Sequence, residues 1–126
     1  MVEFVSTYNE NLVREDDQNL FVIINEQHTL LPDQVKVLEN EFNVNGFILV
    51  KIPAKGLTKD EQYELSQHFK NVDDVVFASP MPALIKYIAT ETLADWYVFH
   101  NDKREKKELP NGKIIFTVAQ EGWEIV

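Results

Sequence analysis

A chain of 126 residues, 44% of them hydrophobic, is long and apolar enough to fold as one domain, which excludes a disordered chain. Its formal net charge of −9 argues against long nucleic acid as a partner, because binding to a phosphate backbone requires a basic surface. With no cysteine and no apolar run of membrane-spanning length, we expect no disulfide, signal peptide or membrane span, and we predict a cytoplasmic location.

The first 18 residues are predicted to form an N-terminal extension, followed by a single domain over residues 19–126. Within the extension, residues 2–5 are compatible with a short edge strand. Residues 9–18 are polar and acidic and are typical of a loop.

Apolar runs alternate with amphipathic helical patterns over the next part of the chain. Strands are predicted at residues 20–24, 47–52, 75–78 and 95–99. Pro32 and Pro82 suit the first position of the first and third helices. Thr58 and Glu61 form a capping box for the second helix. This alternation predicts an α/β fold with a mainly parallel sheet and helices on its faces.

The alternation stops after residue 100. Residues 104–109 and 113–118 flank a Pro-Asn-Gly turn at 110–112, which predicts a C-terminal β-hairpin. We expect this antiparallel hairpin to close one edge of the sheet. Residues 123–126 then form either a last edge strand or a packed tail.

Polar residues follow three of the predicted strands. Because loops after parallel strands open on the same edge of a sheet, we expect these residues to lie close together. They are Asn25, Glu26, Gln27, His28, Thr29, Ser79, His100 and Asn101. A basic cluster at residues 103–107 follows, and helix N-termini at this edge offer N–H groups to anions. The sequence therefore predicts a site for a small anion.

Each of these features also has a structural interpretation. His28 and His100 either brace turns or act as ligand contacts or general acid–base groups. Ser79 either caps the third helix or contacts a ligand. The cluster at 103–107 is either a solvated hairpin arm or a phosphate contact. Glycine-rich phosphate loops and nucleophile motifs are absent, and Glu26 with His28 has no further clustered ligand, so we expect no metal and no cofactor.

Two stretches of the chain resemble a known family. Residues 25–34 (NEQHTLLPDQ) contain an Asn-x-x-His motif after a strand and a Pro-x-Gln motif at the start of a helix. Residues 96–126 contain a strand, a Lys-Arg-Glu-Lys-Lys arm, a Pro-Asn-Gly turn and a returning strand. In order and length this is similar to the small Rossmann-like accessory proteins of type III CRISPR systems. The chain departs from their pattern at Leu31, where threonine is usual, and at residues 79–82, where a glycine is missing.

The resemblance implies a Rossmann-like domain that binds a cyclic oligoadenylate, with cyclic tetra-adenylate as the expected ligand. The protein would sequester or cleave this messenger and so switch off type III CRISPR signalling, as a homodimer. The implied ligand-binding residues are Asn25, Gln27, Thr29, Ser79, Met81, Asn101 and Arg104.

Cleavage, on the same resemblance, would proceed without a metal by attack of a ribose 2′-OH on its own phosphate. The implied catalytic residues are His28, His100 and Lys103, with a histidine as the base. Two alternatives stay open. One is a non-enzymatic protein-interaction module on a small α/β scaffold, and the other is a hydrolase acting on small anions.

Overall fold

The computed structural model describes residues 2–7, 20–44 and 46–126. The strands are β1 (Glu3–Ser6), β2 (Leu20–Asn25), β3 (Ile48–Ile52), β4 (Asp74–Phe77), β5 (Asp95–His100), β6 (Arg104–Glu108), β7 (Ile114–Val118) and β8 (Glu124–Ile125). The helices are α1 (Pro32–Phe42), α2 (Lys59–Gln67) and α3 (Pro82–Glu91). Within the described ranges, no helix is long and apolar enough to cross a membrane. The loop predicted at residues 9–18 lies outside the described residues.

Among the described residues, six strands form one mixed sheet in the order β1-β3-β2-β4-β5-β8. The four central strands are parallel, whereas β1 and β8 run antiparallel at the two edges. The predicted α/β fold with a mainly parallel sheet is confirmed, as is the short strand near the N-terminus. The chain leaves β2 for β3 on one side and returns to β4 on the other. This reversal makes the carboxyl end of β2 a topological switch point, where open α/β sheets bind ligands.

The predicted hairpin forms, but its predicted place in the sheet is wrong. β6 and β7 pair antiparallel and make a separate two-stranded sheet. The edge beside β5 is closed by β8, through the pairing of Phe99 with Ile125. The physical reason is the composition of β6, which reads REKKE and is exposed along its whole length. Such a strand has no apolar face to bury, whereas Ile125 packs against the core.

The two middle strands of the sheet, β2 and β4, are mostly buried and contribute to two apolar clusters. In β2, Ile23 belongs to one cluster and Val22 to the other, as expected for side chains that alternate along a strand. Leu65 of α2 and Leu84 of α3 lie in the cluster with Ile23, and Leu38 of α1 lies in the cluster with Val22. The predicted burial of this strand on both faces is confirmed.

The predicted helix starts are also confirmed. Pro32 and Pro82 are the first residues of α1 and α3. Thr58 caps α2, because its hydroxyl accepts a hydrogen bond from the Glu61 N–H at 3.1 Å. The Glu61 carboxylate in turn accepts from the Thr58 N–H at 2.8 Å, and this bond is the main cause that lowers the pKa of Glu61. Asn43 ends α1 in the left-handed conformation, with φ of 52°.

Replacing Thr58 with alanine is expected to lower the free energy of unfolding by about 1 kcal/mol, because the N–H of Glu61 loses its cap. Thr90→Ala is the matched control, since Thr90 lies exposed on α3 and donates only to the Lys86 carbonyl. Its effect should stay within about 0.5 kcal/mol. Urea denaturation of both variants measures the difference. Equal stabilities would mean that the capping box adds nothing.

Candidate functional site

The carboxyl ends of β2 and β4 are joined by hydrogen bonds at Ser79. The Ser79 hydroxyl accepts from the Asn25 N–H at 2.9 Å, and the Ser79 N–H donates to the Ile23 carbonyl at 3.2 Å. The interpretation of Ser79 as the cap of the third helix is wrong, because Met81 occupies the N-cap position of α3. Ser79 instead fixes the start of the loop that follows β2.

That loop is held by hydrogen bonds from backbone N–H groups to Asn25 and Glu26. The side-chain oxygen of Asn25 accepts from the Gln27 N–H at 2.9 Å, and its carbonyl accepts from the His28 N–H at 2.9 Å. The Glu26 carboxylate accepts from the Ala54 N–H at 2.9 Å in the loop after β3. Asn25 and Glu26 therefore brace the turn, whereas the side chains of His28 and Thr29 are exposed.

A cavity of about 380 Å³ lies beside this loop and is called the main cavity here. Its lining is Ile24, His28, Thr29, Leu31, Gln34, Ala78, Ser79, Pro80, Val118 and Trp123. Three residues predicted from the sequence, His28, Thr29 and Ser79, are thus brought together. Among the described residues of this lining, His28 is the only ionisable side chain. The main cavity is therefore mostly apolar, with hydroxyl, amide and imidazole groups at defined places, as small-molecule sites are.

Trp123 is a cavity residue that the sequence did not reveal. Its backbone N–H donates to the Asp33 carboxylate at 3.2 Å, and its indole N–H donates to the Ala119 carbonyl at 3.1 Å. Its ring meets Phe99 edge to face, with centroids 6.0 Å apart. The one sequence signal was a tryptophan at the start of a possible edge strand, and the antiparallel pairing of β8 with β5 brings it to the start of α1.

Gln34 was also missed. It is buried in the first turn of α1, and its side-chain oxygen accepts from the Leu31 N–H at 2.9 Å. Because Leu31 has no polar side chain with which to cap the helix, Gln34 satisfies this N–H from the third helical position. The available signal was the Pro-x-Gln motif at the start of the helix, and the structure shows that Gln34 of this motif caps α1.

Two further cavities adjoin the main one. A cavity of about 290 Å³ shares His28 and Thr29 with it and also includes Lys51. A cavity of about 340 Å³ shares Ser79 with it and includes Asn25 and Met81. Each of the three includes residues at the end of β2 or in the loop that follows it. Of the predicted ligand residues, Asn25, Thr29, Ser79 and Met81 line one or more of them. Gln27 contributes only its backbone N–H to the turn described above.

The predicted residues of the loop after β5 lie elsewhere. His100, Lys103 and Arg104 do not line any of these three cavities. His100 pairs with Asp102 at 2.7 Å, and the Arg104 guanidinium donates to the carbonyls of Asn101 and Lys103 at 3.0 and 2.9 Å. Their predicted roles in binding and catalysis stay predictions, since the structure shows only these local contacts.

Asn101 has a connecting role. It is buried, its amide donates to the Glu121 carbonyl at 2.9 Å, and its side-chain oxygen accepts from the Lys103 N–H at 2.9 Å. This holds the segment after β7 against the end of β5. Because Trp123 follows two residues after Glu121, Asn101 helps to position the tryptophan that lines the main cavity.

The opposite end of the sheet has a distinct electrostatic environment. Tyr97 donates a hydrogen bond to the Asp74 carboxylate at 3.1 Å. Burial raises the pKa of Asp74 and also that of Tyr97. Asp74 begins β4, whereas the main cavity lies at the carboxyl end of that strand. Across the described ranges, no group of three His, Asp or Glu side chains is placed to hold a metal ion.

Comparison with protein-family models, with curated proteins and with solved structures gives no significant match. The resemblance of residues 25–34 and 96–126 to the CRISPR accessory proteins therefore stays a prediction that depends on those two motifs.

Proposed function

We propose that this protein binds a cyclic oligoadenylate, with cyclic tetra-adenylate as the first ligand to test, at the carboxyl end of β2. The observation that carries the proposal is the main cavity, which lies at the switch point of the sheet and is lined by His28, Thr29, Ser79 and Trp123. These groups can stack on a base, hydrogen-bond to a ribose and approach a phosphate.

The proposal includes a Rossmann-like arrangement with helices on both faces of the sheet. Its support is the division of the core, in which side chains of α2 and α3 join one apolar cluster and a side chain of α1 joins the other. A parallel sheet with right-handed crossovers produces this division when the strand order reverses between β3 and β4.

Each part of a nucleotide has a suitable partner in the lining. An adenine can stack on the indole ring of Trp123, because every base offers a π-face to an aromatic side chain. The hydroxyls of Thr29 and Ser79 both donate and accept, which suits ribose oxygens and ring nitrogens. The start of α1 supplies a positive potential for a phosphate.

The size of the ligand requires more than the main cavity. Pockets for drug-sized ligands span about 300–1,000 Å³, and the 380 Å³ of the main cavity is near the lower end of this range. A ring of four nucleotides must extend into the neighbouring cavities or lie between two copies of the chain. A two-fold homodimer matches the rotational symmetry of such a ring, because both copies present the same loops.

Sequestration and cleavage use the same site and differ in one step. In cleavage, the ribose 2′-oxygen attacks the adjacent phosphorus, the bond to the 5′-oxygen breaks, and a 2′,3′-cyclic phosphate forms. On this proposal, His28 accepts the 2′-OH proton, and the leaving 5′-oxygen takes up a proton. A sequestering protein holds the ring without aligning the 2′-oxygen in line with the leaving group.

Isothermal titration of the full chain with cyclic tetra-adenylate at near-physiological salt is expected to give a Kd of tens of micromolar or tighter, about 6–7 kcal/mol of binding free energy. Linear tetra-adenylate is the control for ring recognition. The absence of binding at that concentration would overturn the proposal. Chromatography of the ligand after incubation separates cleavage from sequestration.

One observation favours protein interaction as a second candidate function. The hairpin of β6 and β7 stands apart from the main sheet, and most of the side chains of β7 are exposed although they are apolar. If the chain binds no nucleotide but associates with another protein chain through this hairpin, protein interaction is its function.

A further inference from the structure

The hairpin of β6 and β7, here called the hairpin arm (residues 104–118), exposes an unusual amount of apolar surface. Ile114 is 56% exposed, Phe116 64% and Val118 57%. An isolated two-stranded hairpin is at best marginally stable in water, and contiguous exposed apolar residues indicate a contact surface. The arm therefore has the properties of an element that a partner covers.

We propose that β7 pairs with β7 of a second copy of this chain, antiparallel across a two-fold axis, so that two hairpin arms form one four-stranded sheet. This interface does not depend on the proposed ligand. It specifies β7 as the surface through which two copies of the chain would form a homodimer.

Within the part of the chain that the structure describes, β7 pairs only with β6, and its other backbone edge is suited to this pairing. The Leu109 N–H donates to the Lys113 carbonyl at 2.7 Å, so these two residues form a hydrogen-bonded pair. Hydrogen-bonded pairs alternate along an antiparallel hairpin, so Ile115 and Thr117 are the residues of β7 whose backbone groups point toward β6. In that alternation the N–H and C=O groups of Ile114, Phe116 and Val118 point away from β6. Such a row of free groups is a template for another strand, and the row has the same spacing in a second copy.

The side chains of β7 are self-complementary when the axis passes through Phe116. Ile114 of one copy then lies opposite Val118 of the other, Ile115 lies opposite Thr117, and the two Phe116 residues lie opposite each other. Each of these residues is β-branched or aromatic, the types that pair best across neighbouring strands. The pairing buries apolar side chains that are exposed in the single chain.

Charge distinguishes the edge of β7 from the edge of β6. β7 (IIFTV) contains no ionisable side chain, whereas every residue of β6 (REKKE) is charged, and charged edge strands resist pairing. An equivalent pairing of β6 about Lys106 would set two lysines opposite each other. Its opposite-charge pairs would be exposed and so contribute little.

The distribution of charge over the chain also favours a second copy as the partner. The hairpin arm holds four basic and two acidic side chains, a net charge of +2, so the remainder of the −9 chain carries −11. In the proposed four-stranded sheet the two charged β6 strands lie on the outside, about 14 Å apart, so the repulsion between the two basic arms is largely screened. Attraction between arm and body offsets the repulsion between two acidic chains.

The dimer would also involve the main cavity. Val118 lies in β7 and lines that cavity, so the second strand would run beside the cavity wall. Each cavity of the dimer would then lie next to an element of the other copy.

Sedimentation velocity of the full chain without ligand is expected to show a species of twice the 14.7 kDa chain mass. Phe116→Lys should weaken the dimer by about tenfold or more, because it sets two like charges opposite each other on the axis. Glu108→Gln, which changes the net charge by the same amount on β6, should leave the dimer intact. Far-UV circular dichroism confirms that each variant is folded.

A cross-linking variant tests the register. The chain has no cysteine, so Phe116→Cys introduces one thiol at the proposed axis. A hydrogen-bonded antiparallel pair has Cα atoms about 5.5 Å apart, within the range of a disulfide. Mild oxidation should therefore join two F116C chains much faster than two E108C chains. A monomeric parent chain, a dimer unaffected by F116K, or equal cross-linking of F116C and E108C would each overturn the proposal.

Discussion

Replacing Phe69 with alanine is expected to lower the free energy of unfolding by about 3–5 kcal/mol. Phe69 is fully buried just after α2, and its ring meets Phe21 of β2 edge to face, with centroids 5.4 Å apart. The parallel sheet on one side and the α2–α3 pair on the other limit how far the site can collapse into the space left behind. A domain of this size has about 5–15 kcal/mol of total stability, so this single change removes a large part of it.

Urea denaturation followed by tryptophan fluorescence measures this loss. Leu93→Ala is the control, because Leu93 is 92% exposed and its replacement should change the stability by no more than about 0.5 kcal/mol. A loss below about 1.5 kcal/mol for the Phe69 variant would show that the core repacks around the site more easily than its burial indicates.

Replacing Trp123 with alanine is expected to weaken binding of cyclic tetra-adenylate by about 5- to 150-fold, which corresponds to the 1–3 kcal/mol of one base–aromatic stacking contact. The reason is that Trp123 lines the main cavity, so that its indole ring is the proposed stacking partner of an adenine. The change also removes the hydrogen bond to the Ala119 carbonyl, so the stability of the variant is measured alongside its affinity.

Two variants separate stacking from structural support. Trp123→Phe keeps an aromatic face but loses the indole N–H, and it should retain most of the affinity. Trp96→Ala removes the other tryptophan, which is 41% exposed on β5 and does not line the main cavity. It should leave binding unchanged. If the Trp123 and Trp96 variants bind equally well, the ligand does not stack on Trp123.

The features that the sequence predicted correctly depend on short-range chemistry. The capping box of Thr58 and Glu61 requires only residues three apart, and a proline at the first helical position requires only its own ring. The apolar run at residues 20–24 indicates a strand buried on both faces without reference to its neighbours. These signals set the order of strands and helices, and that order sets the mainly parallel sheet.

The features that the sequence did not reveal depend on contacts between distant segments. β8 has only two residues and no strand pattern of its own, so its pairing with β5 and the position of Trp123 could not be deduced from sequence. The prediction that His28 and His100 lie close together assumed that all loops at the carboxyl edge of the sheet are neighbours. β4 lies between β2 and β5, which separates those strand ends by about 10 Å.

The hydrogen bond between the Trp123 N–H and the Asp33 carboxylate joins residues 90 positions apart in the chain. A contact that closes so long a loop has a high entropic cost, and it is stable only after the strands and helices between its ends are in place. One wall of the main cavity is therefore expected to form late in folding. An intermediate with a complete parallel core would still lack that wall, so affinity for a ligand reports on the last stage of folding and not on the core alone.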